Sequence, residues 1–115
     1  MKSEIVNTIE RIKTGVPRDE LISLIDHENQ SVRGSAIQSL AERFAVEPAT
    51  VEVFRTFILK SENRKPAMGT ISLSHLAMKL LSAMHCSGAS EAFAELRRSW
   101  PENDRADLTW FLENG

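Results

Sequence analysis

Three histidines, one cysteine and sixteen carboxylates are the side chains of this chain with catalytic or metal-binding chemistry within reach. Imidazole and thiolate hold zinc, and a thiol beside an imidazole makes a nucleophile. The spacing argues against both. His27, His75 and His85 form no His-x-x-x-His pair and no HExxH segment. Cys86 follows His85 directly, and helix neighbours point about 100° apart, so spacing alone makes no dyad. Both read as helix-end residues, where a protonated imidazole complements the carbonyl end of the dipole. His27 lies in a polar turn and reads as solvated. A single cysteine excludes an internal disulfide and a cysteine zinc cage. The glycines are scattered, so no loop cradles a phosphate. Asp19 and Glu20 sit in a first helical turn, where acids complement the dipole. The expectation is a protein that is not an enzyme, with no metal and no cofactor.

Other residues suit recognition. Ser31, Ser35, Gln38 and Glu42 recur at helical spacing, and so do His75, Lys79 and Ser82, with Ser72 beside them. If these are the second helices of successive pairs, both stripes line one concave surface, and the expectation is that they lie side by side on one groove that binds the partner; the alternative is an ordinary solvated face. Trp110 points about 160–200° away from Leu108 and Leu112 on a helix. It is either an exposed anchor for a partner or second copy, or a ring folded back onto Trp100 or the sixth helix. Arg33 falls inside the apolar arc of Val32, Ala36, Ile37, Leu40 and Phe44. A charge there needs a partner. Arg33 either captures a ligand or phosphate, or clips two helices together. The clip is the expected role, with hydrogen bonds to Asp26 or to nearby backbone carbonyls.

The elements that position these residues follow from the punctuation. Gly15 and Gly88 follow apolar periodic runs, and Pro17, Pro48 and Pro101 precede the next ones. No segment alternates with period 2, and no Asn-Gly or Asp-Gly hairpin signal stands between two apolar runs. The chain of 115 residues therefore reads as one all-α domain of about seven helices. They run from Glu4 to Thr14, Pro17 to Ile25, Ser31 to Ala45, Pro48 to Lys60, Thr70 to His85, Ser90 to Ser99 and Asn103 to Glu113. Glu62 to Gly69 reads as a loop. Hydrophobic residues at 42% and charged residues at 26% are ordinary for a folded domain. No apolar run approaches the roughly 18 residues of a membrane span. With no signal-peptide apolar block either, a cytoplasmic location and no membrane contact are expected.

The second to seventh helices group into roughly three antiparallel pairs. Leu21, Leu24 and Ile25 share their spacing with Phe54, Phe57 and Ile58, and Val32, Ala36 and Leu40 share theirs with Leu73, Ala77 and Leu81. Helix pairs repeating every 30 to 45 residues or so suggest an α-solenoid. The stretch Leu21–Phe44, with Asp26, Val32, Arg33, Ala36 and Leu40, resembles a HEAT repeat of the armadillo-like class. The second pair lacks both the Asp and the Val-Arg. The resemblance implies a short right-handed α-α superhelix of about three repeats, and no chemistry.

Charge narrows the partner. The net charge is −2, which disfavours unaided binding to phosphate backbones. It is uneven: five basic side chains face one acidic one between Arg55 and Ser90. A nucleic-acid-binding HEAT-like protein is the second reading, and an enzyme assembled from distant helices the third. The leading expectation is a module that binds one protein partner. A chain this small covers one site, about 800 Å² per side at most. Small free-standing HEAT-like chains resemble adaptors and bacterial immunity proteins that neutralise a toxin domain. A slightly acidic surface suits masking a nuclease, with Glu42, Glu47 and Glu52, or Glu102, Asp104 and Asp107, as available carboxylates. The oligomeric state stays open.

Overall fold

The computed structural model describes residues 3–68 and 71–114. Seven α-helices make up most of them: α1 (Glu4–Thr14), α2 (Arg18–Leu24), α3 (Gln30–Phe44), α4 (Pro48–Leu59), α5 (Leu73–Ser82), α6 (Ala89–Arg98) and α7 (Arg105–Asn114). The all-α reading holds. Local signals set most of the ends. Ser3 caps α1 by accepting from the Val6 N–H, and Asn29 caps α3 by accepting from Ser31 and Val32. Pro48 opens α4, where its missing N–H leaves no bond unmade. Gly88, at φ 86°, supplies the left-handed turn before α6.

The fifth and seventh helices differ from expectation. The expected start of the fifth at Thr70 lies outside the described residues. The helix begins at Leu73 because Ser72 caps it, and it ends at Ser82, before His85 and Cys86. His85 is exposed and Cys86 half-buried, both in the turn before α6. A 3₁₀ turn over Glu102–Asp104 precedes α7. The expected loop is also more ordered. It holds a 3₁₀ turn, Ser61–Arg64, and a short antiparallel ladder of β1 (Pro66–Met68) and β2 (Ile71–Ser72), pairing Pro66 with Ser72 and Met68 with Ile71.

The helices form two layers. α3 packs against α1 and α5, and α5 against α7; on the other side, α4 packs against α6. α2 closes on α3, and α4 on α5. The core lies between the layers and is built from Leu21, Ile37, Leu40, Phe54, Phe57, Ile58, Met78 and Leu81. Burying each such side chain contributes about 1.5–3 kcal/mol. α3 is the central helix, which is why even Gly34 and Ser39 are buried on it. Gly34 lets α5 come close: a Cβ there would stand 3.2 Å from Leu73 Cδ2. α6 and α7 do not close on each other in this way, and a cleft of about 700 Å³ opens between them.

Candidate recognition groove

The polar stripe of α3 borders open space. Ser35, Gln38 and Glu42 line a hollow of about 370 Å³ whose far wall is Ile12 and Lys13 of α1. Ser31, Ser35 and Gln38 line a second hollow of about 340 Å³, walled by Leu73 and Leu76 of α5. Ser35 and Gln38 border both, so the two hollows flank the exposed face of α3 and together make up the α3 groove. The side chains of Ser35, Gln38 and Glu42 make no hydrogen bond or ion pair among the described residues. A floor of unspent donors and acceptors, with Lys13 on the α1 side and the apolar Leu73 and Leu76 on the α5 side, suits a partner's backbone and side-chain amides.

The second stripe does not join this groove. α5 turns Leu73 and Leu76 toward α3, so Ser72, His75, Lys79 and Ser82 lie elsewhere. Ser72 and His75 are buried. Ser72 Oγ accepts from the His75 N–H at 3.3 Å, and His75 Nδ1 accepts from the Ser72 N–H at 3.0 Å. This reciprocal capping box occupies Ser72 and the Nδ1 atom of His75. The His75 ring packs edge-on against Trp100 (centroids 5.1 Å apart) and faces Phe111 at 6.5 Å. Lys79 sits 5.4 Å above the Phe111 ring, and Ser82 Oγ donates to the Lys79 carbonyl at 2.6 Å. The second stripe is thus a seat for the C-terminal segment. Helical periodicity showed which residues share a face but not which neighbour that face meets.

Burial pushes the His75 imidazole below its ordinary value, opposed by Asp104 and Asp107 and assisted by Arg64. The consequence for stability follows from the sign. The folded protein keeps His75 neutral, whereas the unfolded chain takes up a proton near pH 6.5. The stability tied to this group is therefore whole above pH 6.5 and is lost as pH falls from there toward the folded value. The urea midpoint should drop between pH 7 and pH 5. His75→Gln, which keeps a capping-box side chain, should flatten that slope. An equal slope in both proteins would contradict the assignment.

Arg33 acts as a clip, through partners other than Asp26. It is 5% exposed. Its Nη1 donates to the carbonyls of His27 (2.9 Å) and Glu28 (3.0 Å), and its Nε donates to Asn63 Oδ1 (2.9 Å). Asn63 in turn donates to the Phe57 carbonyl at 2.9 Å. Asp26 lies outside this network, exposed, and pairs with Lys60 at the end of α4. The guanidinium points under the α2–α3 turn, where carbonyls converge, while Asp26 points to solvent. Asn63, fully buried, is the residue that sequence reasoning missed. It stands 30 positions from Arg33 with no periodic relation to it.

Trp110 is 59% exposed on the outer face of α7, while Trp100 is buried; the folded-back alternative is excluded. Of the carboxylates considered for masking a basic partner, Glu47 pairs with Arg18 at 2.9 Å and Glu52 with Arg55 at 3.5 Å. Glu42 remains available in the groove. Among the described residues no three of His, Cys, Asp and Glu gather as a metal-binding set. Among the described residues no helix is long and apolar enough to cross a membrane. Comparison with protein-family models, with curated proteins and with solved structures found no match.

Proposed function

We propose that this chain is a non-enzymatic, cytoplasmic module that binds and masks one protein partner, and that the α3 groove is the contact surface. The observation that carries the reading is the row of Ser35, Gln38 and Glu42, hydrogen-bonding groups with no internal partner set between Lys13 of α1 and the apolar Leu73 and Leu76 of α5. The two-layer order of helices supports reading the fold as a short HEAT-like right-handed superhelix, in which α3 and α5 are the second helices of successive pairs. Exposed Trp110 supplies a separate aromatic anchor at the C-terminal end. Within this class an immunity-type role suits the chain. Glu42 offers a carboxylate to a basic partner surface, such as the substrate groove of a nuclease toxin domain.

The test is affinity capture from the native source followed by native mass spectrometry. One protein should be held at 1:1 stoichiometry. Ser35→Trp, which fills the groove, should weaken it at least about tenfold, or 1.4 kcal/mol. Glu42→Lys should lower the association rate and the salt dependence. Absence of a stoichiometric protein, together with salt-sensitive binding of duplex DNA at micromolar concentration, would instead support the nucleic-acid reading.

A further inference from the structure

The cleft between α6 and α7 has a chemically uneven lining. Its volume of about 700 Å³ lies within the range of ligand-binding sites. Phe93 and Leu108 form an apolar floor. Three guanidiniums, Arg97 and Arg98 from the last turn of α6 and Arg105 from the first turn of α7, stand around it, and no Asp or Glu lines it.

The three arginines are not equally engaged. Arg105 is pinned: its Nε donates to the Trp100 carbonyl at 3.3 Å and its Nη2 to the Arg98 carbonyl at 2.9 Å. That fixes one fork while leaving Nη1 free to donate. Arg97 and Arg98 make no side-chain hydrogen bond or ion pair among the described residues. Arg98 is within electrostatic reach of Glu95, but Glu95 is already bonded to Arg55 at 2.6 Å. Three cations gathered on one apolar hollow that no carboxylate lines repel one another and are relieved by an anion. Guanidiniums take carboxylates as planar, two-point partners, which lysines do not.

We propose that this cleft receives an acidic peptide segment of a protein partner. Its carboxylates bind Arg97, Arg98 and Arg105, and an adjacent aromatic or aliphatic side chain lies on Phe93 and Leu108. This rests on the reading of the chain as a protein-binding module and gives that module a second contact of defined chemistry. The apolar floor disfavours a nucleic-acid strand, whose partner surface is polar and strongly basic. The exposed rim of Ala94, Arg97, Arg98 and Arg105 leaves the mouth open to an extended chain.

Selection of random dodecapeptides displayed on phage tests the chemistry whatever the natural partner is. Wild-type protein should enrich sequences with Asp or Glu within two residues of Phe, Leu or Trp. A synthetic peptide of that set should shift the amide signals of Phe93, Ala94 and Thr109. It should bind Arg97→Glu/Arg98→Glu protein at least about tenfold more weakly. Both arginines are exposed, so the double variant should keep its helical circular dichroism. Ser35→Trp protein should retain the peptide, so failure of the α3 groove and failure of this cleft are separable. No enrichment, enrichment without acidic residues, or undiminished binding to the double variant would each overturn the assignment. So would tighter binding of a short DNA duplex or of inorganic phosphate at the same amides.

Discussion

Asn63→Ala is expected to lower the unfolding free energy by about 3 kcal/mol, a large loss for a side chain outside the apolar core. Asn63 is fully buried and works in two directions, accepting from Arg33 Nε and donating to the Phe57 carbonyl. Alanine removes both bonds and leaves a buried guanidinium N–H unpaired. Such a group forfeits its hydration with nothing in return. Arg33→Ala should cost a similar amount, since it strips a cation from two turn carbonyls as well as from Asn63. The two losses should not add. A double-mutant cycle should return a coupling of about 1–2 kcal/mol, because each change removes the same bond. By contrast, Asp26→Ala removes an exposed pair with Lys60 and should change stability by less than about 1 kcal/mol. Chemical denaturation of the wild type and the four variants measures all of this. A change below about 1 kcal/mol for Asn63→Ala would show that water replaces the amide at no cost.

Phe54→Ala should be more damaging, by about 4 kcal/mol. Phe54 is completely buried on α4, the helix that meets α3, α5 and α6. Truncation removes the transfer gain of the ring and leaves a cavity that four helices would have to collapse to fill. For a domain near this size the melting temperature should fall by roughly 4 °C per kcal/mol. Leu59, on the same helix and 54% exposed, is the internal control. Its change to alanine should stay within about 0.5 kcal/mol. Equal effects at Phe54 and Leu59 would mean that α4 faces the core differently.

The sequence carried the helices because their signals are local. Periodicity and the Gly and Pro punctuation act within one or two turns, and they placed all seven segments. The β1–β2 ladder carries only a weak signal: it is two residues long on one side and has neither an Asn-Gly nor an Asp-Gly pair between its strands. The α3 half of the candidate groove was legible for the same local reason, as Ser35, Gln38 and Glu42 recur on one helix face. The α5 half was not. His75 and Lys79 look like an exposed stripe from spacing, yet Trp100 and Phe111, more than 20 positions later, cover that face. The position of Arg33 within an apolar arc announced a buried cation, but nothing local identified Asn63. The arginine cleft escaped for a related reason. Arg97, Arg98 and Arg105 belong to two helices, and their convergence is a product of packing.

The central claim is that the α3 groove holds the partner. Amide hydrogen exchange of the free protein and of the captured 1:1 complex tests it most directly. The account predicts new protection over 30–42 of α3 and over the groove-facing ends of α1 and α5, around Ile12 and Leu73. Protection confined to other surfaces, with the α3 groove exchanging as in the free protein, would contradict it.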